Sequence, residues 1–259
     1  MTAPSVATAS SRFDLQGCRA VVTGASRGIG AATAEALASS GADCVTLVAR
    51  DQAALHTVAA RVRRAGAGAR IQVCDVTVSL QLAAAFEAAG EVDLLVNCAG
   101  ANQPEMFEDV REETFERLWQ LNVGATFFAT QHAVARMRSH GRGGTIVNIS
   151  SQMGHVGAPQ RSVYCATKHA IEGMTKALAV ELASDGIRVV SIAPTFIETE
   201  LTAPFFADPA FRADVERRIP LGAIGHVDDV VGAVIFAASP AARLMTGTSL
   251  VVDGGWTAQ

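Results

Sequence analysis

Seven short apolar runs recur along this chain, and between them lie segments whose apolar residues return with a helical period. The runs are Ala20 to Val22, Cys44 to Val48, Ile71 to Val73, Leu94 to Cys98, Thr145 to Ile149, Ile187 to Ile192 and Leu250 to Val252. Their almost wholly apolar character suits strands covered on both faces. The helical patterns include Ile29 to Ser39, Gln52 to Arg64, Phe115 to Met137, Ser162 to Leu182 and Val227 to Ala238. Strand followed by helix, many times over, calls for a parallel sheet with right-handed crossovers and helices on both faces. The predicted fold is therefore α/β, a doubly wound Rossmann-type parallel sheet of about seven strands.

No repeat at solenoid spacing and no low-complexity linker divides the sequence. Its 259 residues, 49% hydrophobic and 18% charged, suit one domain with a large core. That domain is expected over residues 13–259. Residues 1–12 are small and polar, lack the pattern of a secretory signal, and are expected to form a flexible tail.

Several function classes are excluded. A formal charge of -4 with no long basic run argues against a nucleic-acid partner. No stretch reaches the roughly 18 uninterrupted apolar residues of a spanning helix, so no membrane partner and a cytoplasmic location are expected. The five cysteines (Cys18, Cys44, Cys74, Cys98, Cys165) are scattered, with no C-x-x-C pair. They read as small buried thiols in a reducing compartment, with no metal site.

The chemistry lies near the middle of the chain. Tyr164 is followed four residues later by Lys168, Ser151 stands thirteen residues before the tyrosine, and Asn122 lies further upstream. A free phenol has a pKa of about 10, so half-ionising it near pH 7 needs a shift of about 3 units, roughly 4 kcal/mol. An ammonium one helical turn away favours the phenolate. In the helical segment from Ser162, the apolar stripe Ile171, Met174, Leu178 and Leu182 extends back through Lys168 and Tyr164. A buried ammonium needs an anion, a phenolate or a ligand beside it. The stripe Phe115, Leu118, Trp119, Thr126, Ala129, Ala133 and Met137 likewise passes through Asn122, placing an amide where core is expected.

A second constellation opens the chain: Thr23-Gly24-Ala25-Ser26-Arg27-Gly28-Ile29-Gly30, between the first strand and the first helix. Glycines let the backbone approach a ligand, and a helix N-terminus offers unpaired N–H groups to a pyrophosphate. The spacing G-x-x-x-G-x-G is neither the G-x-G-x-x-G fingerprint nor a P-loop. At the end of the second strand an NAD enzyme usually carries an acid, whereas NADP enzymes place an arginine there. Here Leu47-Val48-Ala49-Arg50 has no acid until Asp51, and Arg27 sits within the glycine turn. NADP(H) is favoured, with NAD(H) the alternative. Asp75, after the third strand, can accept from the adenine amino group, and Asn97-Cys98-Ala99-Gly100 closes the fourth strand. All lie at the strand-end edge where such sheets bind ligands.

Together these motifs make the chain resemble the short-chain dehydrogenase/reductase family in its common single-domain form, over nearly everything from Leu15 to Trp256. The resemblance implies reversible hydride transfer between NADP(H) and a carbonyl or secondary alcohol. Tyr164 would then be the general acid-base, with Ser151 holding the reacting oxygen. Lys168 would bind the nicotinamide ribose and lower the tyrosine pKa, and Asn122 would anchor a water linking Lys168 to solvent. After the sixth strand the family usually shows P-G-x-x-x-T. Here Pro194-Thr195-Phe196-Ile197-Glu198-Thr199 replaces the glycine by Thr195, so the backbone there is expected to differ, while Ile197 and Thr199 remain carboxamide and phosphate contacts. A homotetramer is also implied, built from the helix bearing Tyr164 and the C-terminal strand.

Substrate choice is expected to lie in two segments. Gln152 to Ser162 contains Met153, His155 and Gln160; Thr199 to Pro220 is read as a substrate loop whose Pro204-Phe205-Phe206 forms an apolar flap able to exclude water. The polar residues suit a sugar acid or polyol, the aromatic ones a ketoacyl, steroid-like or aromatic ketone. A nucleotide-sensing protein without catalysis would be expected to lose Tyr, Lys or Ser from the set, and all are kept. A sugar-nucleotide epimerase would usually carry an added C-terminal substrate domain, absent from this sequence.

Overall fold

The computed structural model describes residues 12–259; residues 1–11, where most of the expected flexible tail lies, fall outside the described residues. The strands are β1 (Arg19–Thr23), β2 (Cys44–Ala49), β3 (Gly68–Val73), β4 (Leu94–Asn97), β5 (Gly144–Ile149), β6 (Ile187–Pro194) and β7 (Thr248–Val252). They form one sheet in the order β3-β2-β1-β4-β5-β6-β7, parallel at every pairing. The order reverses between β1 and β4, the switch point at which open α/β sheets bind ligands.

Helices cover both faces because side chains alternate along each strand. Ala20 and Val22 of β1 join the core beneath α1 (Gly28–Ser39), α2 (Gln52–Arg64) and α9 (Val227–Ala238), together with Leu37, Leu55 and Val234. Val21 points the other way. It packs in the core beneath α3 (Ser79–Ala89), α5 (Ala125–His140) and α6 (Ser162–Glu181), with Phe86, Met137 and Ile146. Each fully buried side chain of this size contributes about 1.5–3 kcal/mol.

Three expectations need correction. The outermost strands β3 and β7 are not covered on both faces: each stands at an edge of the sheet, where Val73 and Val251 are exposed. The helix expected over Phe115 to Met137 is α4 (Glu112–Trp119), a π-turn at Gln120–Gly124, and α5. Its buried line steps through Thr114, Leu118, Asn122 and Thr126 at intervals of four. Phe115 and Trp119 fall one residue off that line and stack on each other in solvent, ring centroids 5.8 Å apart. The substrate loop expected over 199–220 is largely helical, with α7 (Ala203–Phe206) and α8 (Pro209–Arg218). Asp208 caps α8, accepting from the Ala210 N–H at 2.9 Å, and Pro209 opens it at no loss of a needed donor.

Candidate active site

The carboxyl ends of the strands open into a cleft of about 1080 Å³, at the upper end of the size of small-molecule pockets. Gly24, Ser26, Arg27, Gly28, Ile29 and Gly30 line its floor. Gly24 has φ +67°, and a Cβ there would lie 2.8 Å from the Ala99 amide nitrogen, so two strand-end turns meet where only glycine fits. The preceding Thr23 ties them: its Oγ1 accepts from the Cys98 and Ala99 amides at 3.1 and 3.3 Å. A Cβ on Gly30 would collide with the carbonyl oxygen of Gly24. Gly30→Ala is therefore expected to destabilise by about 1–3 kcal/mol, lowering the thermal midpoint by roughly 2–6 °C. An unchanged midpoint would show that the turn yields.

Arg50 and Arg27 border the cleft with 77% and 62% of their side-chain surface exposed; their nearest acids are Asp75 at 3.9 Å and Glu200 at 4.0 Å. Asp51 is engaged elsewhere, capping α2 through the Ala54 N–H at 3.0 Å. Asp75 also lines the cleft, but one of its oxygens accepts from Thr77 N and Oγ1 at 3.0 and 2.7 Å. Those bonds, helped by Arg50, hold its carboxyl below the usual range. Ala99, Gly100, Pro194, Ile197 and Thr199 complete this part of the wall. Thr195 needs no left-handed backbone. Its N–H donates to the Val252 carbonyl at 3.0 Å, so a threonine serves where a glycine was expected.

Ser151, Tyr164 and Lys168 meet in the cleft. Ser151 stands two residues beyond the end of β5 and caps a short turn, its Oγ accepting from the Met153 N–H at 3.1 Å. The side chain of Lys168, which is 6% exposed, reaches from α6 to the end of β5 to donate to the Ile149 carbonyl at 2.8 Å, with its Nζ 5.5 Å from the centroid of the Tyr164 ring. Burial draws its pKa down to about 8, against the pull of Cys98 and Glu172. Tyr164 departs from the expected direction. Burial pushes its hydroxyl up to about 12, with Ser151 and Arg161 opposing the rise. Lys168 lies over the ring, so in the protein alone desolvation outweighs the attraction expected of it.

Of the other expected residues, some face elsewhere and some line the cleft. Asn122 does not line the cleft: its Oδ1 accepts from Ala101 N–H at 2.9 Å, and its Nδ2 donates to Ala101 O and Thr167 Oγ1 at 2.9 and 3.1 Å. It clamps the turn after β4 against α6. Asn97 is internal too, its Nδ2 donating to Thr130 Oγ1 and Asn148 Oδ1. Gln152 and Met153 line the cleft, as does Phe205. His155 turns away, its Nε2 3.0 Å from Ser249 Oγ and 3.5 Å from the buried Glu172 carboxylate. The Gln160 amide reaches Met106 Sδ at 3.6 Å. Phe206 joins an aromatic cluster with Phe196 and Phe211. Apolar packing holds Phe206 and a buried acid draws His155, while Gln160 is exposed with a weak thioether acceptor.

The sequence reading missed Asn102, Ser150 and Thr195 as wall residues. Asn102 Oδ1, Gln152 Oε1 and Thr195 Oγ1 are buried without a hydrogen-bond partner in the protein, although they belong to residues lining the cleft. Position just beyond a strand end was the signal available for each.

A family model described as enoyl-(acyl carrier protein) reductase matches residues 24–257. The chain is 36% identical over 249 residues to a gluconate 5-dehydrogenase of Gluconobacter oxydans (strain 621H), covering 95% of this chain and 96% of that protein. It is 37% identical to a D-erythrulose reductase of Gallus gallus, covering 94% and 97%. Among solved structures it is similar to a short-chain type dehydrogenase/reductase from Mycobacterium marinum (39% identity, TM-score 0.91, covering 96% and 99%). It is also similar to a gluconate 5-dehydrogenase from Burkholderia cenocepacia J2315 in complex with NADP and tartrate (35% identity, TM-score 0.93, covering 97% and 100%).

Proposed function

Because the chain belongs to the short-chain dehydrogenase/reductase family, we propose that it is an oxidoreductase interconverting a secondary alcohol and a ketone on a small polyhydroxylated substrate with NADP(H). The observation that carries the substrate class is the set of unpartnered buried oxygens on Asn102, Gln152 and Thr195 around the cleft. A buried acceptor without a partner costs about 1–3 kcal/mol, and ligand hydroxyl or amide groups would relieve it. The relatives named for gluconate and erythrulose act on molecules of that kind.

The residues present fit a dinucleotide. The N-terminus of α1 has no side-chain cap, which suits its first backbone N–H groups to a pyrophosphate, and the two exposed arginines with no carboxylate at the end of β2 suit a 2′-phosphate. Bound NADP(H) supplies or takes up the hydride. Tyr164 gives its hydroxyl proton to the forming alkoxide in reduction and takes it back in oxidation. Ser151 donates to the same oxygen, where fixed donors act on charge that develops in the transition state. Lys168, tied to Ile149, fixes the neighbouring positive charge, and Asn122 holds the turn after β4 in register with α6. We place the protein in the cytoplasm as a homotetramer, and apolar side chains left exposed on α6 (Val180) and β7 (Val251) suit the assembly. Among the described residues, no helix is long and apolar enough to cross a membrane.

Absorbance at the nicotinamide band, with a panel of polyols and sugar acids and each cofactor, tests the assignment. Wild type is expected to favour NADP(H), and Arg50→Ala to raise KM for NADP(H) on the order of 10-fold while leaving NAD(H) little changed. A wild-type preference for NADH would overturn the cofactor choice, and turnover confined to unhydroxylated ketones would overturn the substrate class.

A further inference from the structure

Arg161 carries a charge that none of the roles above uses. It precedes Tyr164 by three residues and is the N-cap of α6, yet only 6% of it is exposed. Among the described residues no carboxylate pairs with it. Its Nη1 donates to the Gln160 carbonyl at 3.3 Å, and its buried Nε has no acceptor. Phe205, which lines the cleft, stands over the guanidinium with 5.6 Å from the ring centroid to Cζ.

A buried guanidinium with so few acceptors is expensive to maintain unless something else satisfies it. Arg188 shows the contrast: its guanidinium bonds to the carbonyls of Ala237, Ala242 and Met245 and to Thr145 Oγ1. The backbone at Arg161 is also specially shaped. Gln160 has φ +58°, the one left-handed non-glycine residue among those described, and such strain persists where the surroundings hold it for a purpose. Its carbonyl is pinned by the Glu105 N–H at 3.1 Å, which fixes the approach to Arg161 from the loop after β4. The charge is close enough to Tyr164 to favour its phenolate.

We propose that Arg161 is the anchor for a carboxylate on the substrate, so that the polyhydroxylated substrate is an open-chain sugar acid whose reacting carbon stands at Ser151 and Tyr164 with the carboxylate a few carbons away. This rests on the polyhydroxylated-substrate reading and narrows it. The planar fork of a guanidinium matches a carboxylate with two parallel hydrogen bonds, and the orphaned Nε of Arg161 then acquires an acceptor. Phe205 would turn aside to admit the acid and then exclude water from the ion pair. One cation with no second lysine or arginine paired beside it suits a single negative charge better than a phosphate dianion.

The test compares kcat/KM with NADP+ for matched pairs, D-gluconate against sorbitol and tartrate-length acids against their neutral tetritols, in wild type, Arg161→Met and Arg161→Lys. Sorbitol 6-phosphate serves as the phosphate control. Calorimetric titration of gluconate into the cofactor-loaded protein gives a second readout independent of turnover, and melting curves confirm that each variant folds. Expected are a wild-type preference for the acid of at least about tenfold, a loss on the order of 10²-fold for acids in Arg161→Met carried mainly by KM, and partial recovery in Arg161→Lys. Neutral polyols should keep their KM within about threefold, any change in their turnover appearing in kcat through the lost charge near Tyr164. Equal losses on acid and polyol, or gluconate affinity unchanged in Arg161→Met, would overturn the anchor while sparing the polyhydroxylated reading. A preference for the phosphorylated sugar would overturn the carboxylate assignment, and wild-type turnover of neither acids nor polyols would sink both readings together.

Discussion

Replacing Tyr164 by phenylalanine is expected to lower kcat about 10³-fold or more while leaving the dissociation constant for NADP(H) within roughly threefold. The size follows from what the hydroxyl has to do. Proton transfer by a positioned group supplies typically 10²–10⁴-fold, and here the same hydroxyl also donates a hydrogen bond to the reacting oxygen, so both contributions vanish together. The ring survives the substitution and continues to pack beneath Lys168 Nζ, so the geometry of the cofactor floor is undisturbed. Burial has raised the hydroxyl to about 12 in the protein alone, so the free enzyme holds a protonated phenol suited to giving a proton. Single-turnover absorbance changes with cofactor binding followed separately by fluorescence would check the split. Retention of more than about a tenth of wild-type kcat would remove Tyr164 from the proton path.

The fold was legible because its signals are repeated. Five of the seven apolar runs had a helical period after them, so a misjudged boundary, such as β4 ending at Asn97 rather than Cys98, left the topology unchanged. The edge strands were misread because a run such as Ile71 to Val73 carries no mark of its place in the sheet, and only tertiary pairing decides which strand lies outermost. In the helix bearing Asn122, periodicity assumed a regular turn. The π-turn at Gln120–Gly124 rephases the helix, sending Phe115 and Trp119 outward while keeping the amide inside.

At the site, residues whose spacing is fixed by one element were read well: Tyr164 and Lys168 share a helix face, and the glycine turn leads straight into α1. Residues on loops were read poorly because their direction depends on partners far away in sequence. His155 lies 94 positions from Ser249, and nothing local indicates that a buried Glu172 and Ser249 draw it off the cleft. Arg161 escaped notice for the converse reason, since an arginine before a helix reads as a solvated charge until its burial is seen.

Lys168→Met is expected to make the cofactor-free protein more stable while abolishing most of its activity. In an unfolded chain the lysine titrates near 10.5, and in the folded protein near 8. Below pH 8 both forms are charged and the fold carries the whole penalty of burying the ammonium. Between 8 and 10.5 the folded form sheds its proton first and the penalty fades; above 10.5 it is gone. The difference amounts to about 3 kcal/mol of destabilisation at pH 7. Methionine fills similar volume without charge but leaves the Ile149 carbonyl without its Nζ donor, a loss of about 1 kcal/mol. The net gain of about 2 kcal/mol corresponds to a rise of roughly 4 °C in Tm at pH 7. At pH 10 the gain should shrink towards zero and then reverse, because the neutral wild-type amine keeps the Ile149 bond that methionine lacks. Thermal and denaturant melts of both proteins at pH 7 and pH 10 measure this directly. A variant less stable than wild type at pH 7, or a gap independent of pH, would mean that Lys168 is held by its surroundings as a satisfied cation. The site would then not be storing destabilisation for a ligand to relieve.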